Sequence, residues 1–213
     1  MNLPRWDKYN ISQKVCGKKN YNKTIFIMFT WRDLSKNRRI SNDYYKNILN
    51  LLHNSLLIKE IQKNNVTLYM AFHHRQPEGK TKIMDNKYIN FINENQVSDI
   101  LSKTDLVVTD FSSIIFDIIY REKPFIMYIP DTNYNDNKIN YVENYYQLIN
   151  DLKDGIIPMR NIYFNTNEVV KKIIYYINNN FKLEEKLREF YKSFDFKKEK
   201  SIPQFIDYLK KLT

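Results

Sequence analysis

Residues 106–131 read as strand, tight turn, helix and strand in immediate succession. They run Leu106-Val-Val-Thr-Asp-Phe-Ser-Ser-Ile-Ile-Phe-Asp117 and then Lys123-Pro-Phe-Ile-Met-Tyr-Ile-Pro-Asp131. Two short apolar strands joined by one amphipathic helix pack most simply as parallel neighbours with the helix crossing a sheet face. The pattern extends upstream. Ile25 to Phe29 is a continuous apolar run, and Tyr45, Ile48, Leu49 and Leu52 recur at helical spacing behind Ser41 or Asn42 as a cap. A second helical piece is expected over 55–63, strands over 66–72 and 88–91, and a short helix over 97–102 with Ile100 and Leu101 inward. Strands alternating with helices predict an α/β fold: a Rossmann-like parallel sheet of about five strands, flanked by helices. Residues 1–23 read as a basic arm or linker and 24–213 as one domain. Further helices are expected over 144–153, 168–176, 181–194 and 203–212.

The turn after Leu106–Thr109 is the first candidate site. Thr109, Asp110, Ser112 and Ser113 fall where a strand ends and a helix begins. A helix start presents free N–H groups and the positive end of its dipole, and at the C-terminal edge of a parallel sheet that suits a phosphate. Ser and Asp also cap helices with no ligand involved. Both readings stand on spacing alone.

Charge narrows the partners. The 213 residues carry 34 Lys and Arg against 24 Asp and Glu, a net +10, which favours nucleotides, phosphate polymers, nucleic acid or an anionic membrane surface. The abundance of Asn and Lys with only 3 Gly also fits plain compositional drift. The one cysteine, Cys16, leaves no internal disulfide and no cysteine metal cluster. The start of the sequence has no apolar signal core, and the longest apolar runs are far short of a membrane span, so a cytoplasmic location is expected. No Asp-x-Asp pair, glycine-rich phosphate loop or dinucleotide fingerprint occurs, so neither a metal nor a NAD-type cofactor is expected.

Two other segments place reactive side chains at strand exits. His73, His74 and Arg75 follow the second strand. An imidazole there suits proton transfer or a pyrophosphate contact, or the pair simply lies on the surface. Adjacent residues of an extended segment point to opposite sides, so at most one histidine faces a ligand. Arg32, after the first strand, either clamps a phosphate bidentately or pairs with Asp33. Asp117 either reaches a ligand hydroxyl or caps nearby amides.

Taken together, Thr109-Asp110-Phe111-Ser112-Ser113, Phe116-Asp117, Lys123-Pro124 and Tyr128 resemble the donor half of the CDP-glycerol glycerophosphotransferases, the teichoic acid and capsule polymerases. Leu3-Pro-Arg-Trp-Asp7 and Ile25-Phe-Ile-Met-Phe-Thr-Trp-Arg-Asp33 resemble that half's entry segment and first strand. The resemblance implies the C-terminal, nucleotide-binding half of a GT-B glycosyltransferase. It implies a CDP-glycerol or CDP-alditol donor, with no cofactor or metal, and a polyol-phosphate or glycan acceptor. By resemblance, Ser112, Ser113 and Arg32 bind donor phosphates, His73 is catalytic, and Thr109, Asp110, Asp117, His74 and Arg75 support them. Asp110 is expected to order the turn, since a carboxylate repels phosphate. The chain departs from the family at Ala71, where a basic residue is usual. An N-terminal GT-B half or a homodimer is expected to complete the site, with peripheral contact at the inner membrane surface. The competing reading is a non-catalytic nucleotide-binding accessory domain. Nucleic acid is not expected as a partner, because no RNA-binding motif accompanies the charge.

Overall fold

A computed structural model describes residues 22–30, 38–71, 86–110, 112–130 and 161–192, with side chains of the first helix described from Tyr44 onward. Six strands form one parallel sheet: β1 (Thr24–Met28), β2 (Thr67–Ala71), β3 (Ile89–Ile92), β4 (Leu106–Thr109), β5 (Phe125–Tyr128) and β6 (Ile162–Tyr163). The order is β3-β2-β1-β4-β5-β6. The helices are α1 (Arg38–Leu52), α2 (Ser55–Lys63), α3 (Val97–Lys103), α4 (Ile114–Tyr120), α5 (Thr166–Asn178) and α6 (Glu185–Lys192).

Apolar strands without polar alternation are what a sheet covered on both faces requires. The period of two then divides their side chains. Ile25, Ile27, Leu68, Met70, Leu106, Val108, Ile126 and Tyr128 share one core with residues of α1, α2 and α5. Phe26, Ala71, Val107, Phe125 and Met127 share the other with Leu101 of α3, with α4 and with α6. Asn54 caps α2 through Leu56 and Leu57 amides, and Asn165 caps α5 through the Asn167 amide.

Glycine is so scarce that three helices end without it. Asn65, Glu122 and Asn180 take positive φ after α2, α4 and α5. The next amides, of Val66, Lys123 and Phe181, donate back to Ile61, Ile118 and Tyr176 carbonyls. These are Schellman turns on non-glycine residues. Phe181 is itself at φ 56 and buried, so that turn sends the chain from one sheet face to the other.

Several sequence expectations need correction. Among the described residues the sheet has six strands, and β6 was not expected because its two residues are too few to show a period. Ser41 and Asn42 lie within α1 and do not cap it. The third strand spans 89–92, one residue later than expected. The helix expected from Phe181 starts at Glu185, because 179–184 form the turn just described. The helices expected over 144–153 and 203–212, and nearly all of the basic arm, lie outside the described residues.

Candidate donor site at the sheet switch point

In the order 3-2-1-4-5-6 the sequence runs outward in both directions from the β1–β4 pair. α1, after β1, packs on one face, and α4, after β4, packs on the other. The two exits therefore diverge and leave a crevice above the carboxyl ends of β1 and β4, the usual ligand position in such sheets.

Thr30 and Asp110 form its floor. One oxygen of the Asp110 carboxylate, Oδ1, accepts from the Thr30 amide at 2.8 Å and from the Thr30 hydroxyl at 2.7 Å. Thr109 Oγ1 donates to the Met28 carbonyl at 2.6 Å, a second cross-link between the same strand ends. Thr109 and Asp110 are both fully buried. A buried carboxylate is tolerable when donors converge on it, as they do here.

Ser112 is half-buried and Ser113 exposed at the mouth of α4. Ser112 Oγ accepts from the Ile114 amide at a long 3.4 Å, and its carbonyl accepts from Ile115. Ser113 is the N-cap by position, yet its side chain makes no capping bond. Its hydroxyl is thus not committed to the cap, the role that the sequence left open. Asp117 is buried one turn further along α4, away from the solvent side where Phe116 lies. The crevice wall on the β5 side is braced by Asn47 Nδ2 donating to the Pro130 carbonyl and by the Tyr128–Thr166 hydroxyl pair at 2.7 Å. Edge-on contacts of Phe29 with Tyr44 and Tyr128 support it from below. Arg32, His73, His74 and Arg75 lie outside the described residues. Ala71, just upstream of them, ends β2 in the core and is 1% exposed.

Lys123-Pro124 lies at the opposite edge of the sheet. Asp105, at the foot of β4, accepts from the Thr24 amide and pairs with Lys23 at 3.3 Å and Lys123 at 3.8 Å. Burial pulls the Lys123 ammonium below its usual range, Asp105 partly opposes this, and Lys23 and Arg121 add to it. This motif positions strands and does not face the crevice.

A cavity of about 560 Å³ is also remote from the switch point, lined by residues that include Asn161, Lys172, Tyr175, Asn179 and Glu184. Its central charges satisfy each other: Lys172 bonds both Glu184 oxygens at 2.7 and 2.8 Å, and the Tyr176 hydroxyl donates to Glu184. Sequence reading did not find this cluster, since its members are 8 to 12 residues apart across a turn. It sets an alkaline limit on stability. Burial, then Glu184 and Glu168, push the Tyr163 phenol up to about 12. Burial and the Glu184 bond raise Tyr176 further, and burial raises Tyr191. Raised phenols keep their protons in the folded chain after the unfolded chain has lost them. The stability they contribute is complete below pH 10.0, the usual phenol value, and drains away as pH rises through about 12. The lowered Lys123 works in the opposite direction, as one group against three. The denaturant midpoint should therefore fall between roughly pH 10 and pH 12, and fall less steeply in Tyr176→Phe.

Residues 3–201 match the family described as CDP-Glycerol:Poly(glycerophosphate) glycerophosphotransferase. The chain belongs to this family. Among curated relatives of this glycerophosphotransferase family, the minor teichoic acid biosynthesis protein GgaB of Bacillus subtilis (strain 168) is 28% identical over 204 residues, covering 88% of this chain and 20% of GgaB. The teichoic acid poly(glycerol phosphate) polymerase of Bacillus spizizenii is 26% identical over 175 residues, covering 81% of this chain and 40% of the polymerase. The chain thus spans between a fifth and two fifths of these relatives. The fold is that of the wall teichoic acid polymerase TagF. One TagF variant superposes with a TM-score of 0.57 at 20% identity, over 96% of this chain and 46% of that one. A variant soaked with CDPG gives 0.51 at 19% identity, over 96% and 44%. The likeness is one of fold: a parallel α/β sheet shared with less than half of the TagF chain. Among the described residues, no helix is long and apolar enough to cross a membrane, and no cluster of metal-ligating side chains occurs.

Proposed function

We propose that this chain is the donor-binding half of a glycerophosphotransferase of teichoic acid or capsule-type polymer synthesis, taking CDP-glycerol or a related CDP-alditol. The observation that carries the reading is positional. The Thr109-to-Ser113 turn, which bears much of the family resemblance, is also the exit of β4 at the switch point of the sheet.

In this reading the donor pyrophosphate lies above the Thr30–Asp110 floor. Ser112 and Ser113 donate hydroxyl and amide hydrogens to its oxygens, and Arg32 adds a bidentate contact. An acceptor hydroxyl, on a polyol phosphate or glycan, attacks the phosphorus that bears glycerol. The new P–O bond forms as the bond to CMP breaks, and CMP departs with that electron pair. The acceptor proton passes to a base on the opposing half. His73, just beyond β2, stabilises or protonates the departing phosphate. No cofactor enters these steps. The opposing half comes from an N-terminal domain or a second copy, and the +10 charge suits a peripheral position on the cytoplasmic face of an anionic membrane.

Joint replacement Ser112→Ala with Ser113→Ala should weaken binding of CDP-glycerol by roughly 1–3 kcal/mol, the range for lost charge-assisted hydrogen bonds. Isothermal calorimetry on the folded variant measures this, and unchanged affinity would remove the serines from the site.

One observation favours a second reading, a non-catalytic nucleotide-binding domain. Ala71 is a core residue of β2, so the basic group that the family resemblance expects there is replaced by packing. Glycerol phosphate transfer on supplying an acceptor half separates the two, since only the transferase reading predicts turnover.

A further inference from the structure

We propose that Thr30 and Asp110 are positioning residues that couple the two loops of the donor crevice, so that the β1 exit sets the placement of Ser112 and Ser113. The inference rests on the donor-site reading above.

At a switch point the two exits leave toward opposite faces, and ordinary sheet pairing ends before the loops begin. β1 and β4 are paired through Met28 and Thr109. Beyond that register the strand exits would be free to splay. Here a buried carboxylate continues the connection, reaching two residues past Met28 on one side and one past Thr109 on the other. Asp110 Oδ1 takes both the amide and the hydroxyl of Thr30. Asp110 is two residues before Ser112, which in turn holds the first amides of α4. A clamp on a buried carboxylate is stiffer than a fully solvated contact, because breaking it strands a buried acceptor. Movement of Thr30 therefore displaces the start of α4, and a phosphate seated there feels it. Thr30 need not touch the donor to control affinity, since a small displacement of positioned donors is costly.

The test is calorimetric titration of CDP-glycerol into the full chain, in the wild type, Thr30→Val, Thr30→Ser, the Ser112→Ala/Ser113→Ala pair, and that pair combined with Thr30→Val. Circular dichroism at the titration temperature establishes that each is folded. Valine keeps the amide bond to Asp110 and removes only the hydroxyl. Thr30→Val should bind about tenfold more weakly, the scale of one lost hydrogen bond to a charged group. Thr30→Ser, which keeps the hydroxyl, should recover most of that loss. In the serine-pair background, Thr30→Val should add less than about twofold, because its effect passes through the serines. A role in stability alone would leave the affinity of folded Thr30→Val unchanged. If the serine pair weakens binding while Thr30→Val stays within about twofold of wild type, the donor site stands and the coupling is wrong. Multiplying, independent effects would likewise overturn it. If the wild type binds no cytidine nucleotide, the donor-site reading falls and the coupling with it. Should Thr30→Val not fold, Asp110→Asn provides the same comparison with one acceptor oxygen retained.

Discussion

Asp110→Ala should lower the stability of the fold by about 3 kcal/mol, because it deletes a buried acceptor of two charge-assisted bonds worth about 1.5–3 kcal/mol each. The carboxylate is fully buried, and its Oδ1 takes the Thr30 amide and hydroxyl at 2.8 and 2.7 Å. Alanine leaves both donors facing a cavity between β1 and β4. Thr30 is only half-buried, so water recovers part of the loss, which sets the figure near the lower end of the sum. Equilibrium urea denaturation measures it. A change below about 0.5 kcal/mol, the range of ordinary surface substitutions, would contradict the clamp.

Phe26→Ala should cost about 3–5 kcal/mol, the usual range for emptying a core aromatic site. Phe26 lies on β1 between Tyr69 of β2 and Val107 of β4, and is 0% exposed. Its ring belongs to the core under α4, so the cavity lies beneath the helix that follows Ser112 and Ser113. Leu56 on α2 is 62% exposed and serves as the control: Leu56→Ala should stay within about 0.5 kcal/mol of wild type. Comparable losses at the two positions would mean that β1 is not the central strand.

The parallel sheet was legible because its central strands are apolar at nearly every position, a pattern that few other arrangements accommodate. β4 and β5 match the expected stretches closely for that reason, and so does the switch-point turn between β4 and α4. β6 was not legible: two residues carry no period, and only the neighbouring β5 defines them as a strand. The start of α6 was misplaced because the sequence offers Asn180 and Phe181 where a glycine usually marks such a turn. At the candidate site, residue types pointed to the serines and to Asp110. What sequence could not supply was the partner of Asp110, since Thr30 is 80 positions away and the two meet only when β1 and β4 pair. Lys123 shows the converse. It belongs to the same resemblance as the serines, yet its work is at the foot of the sheet with Asp105 and Lys23. A shared motif therefore mixes residues that hold the sheet together with residues that face the crevice.

The central claim is that the β1–β4 crevice binds a cytidine diphosphate donor. Parallel calorimetric titration of the purified chain with CDP-glycerol, CMP, UDP-glucose and NAD tests it most directly. The account predicts saturable binding of CDP-glycerol and weaker binding of CMP, both diminished by the Ser112→Ala/Ser113→Ala pair, with little or no heat from UDP-glucose or NAD. Equal binding of all four ligands, or binding of CDP-glycerol that is indifferent to the serines, would contradict it.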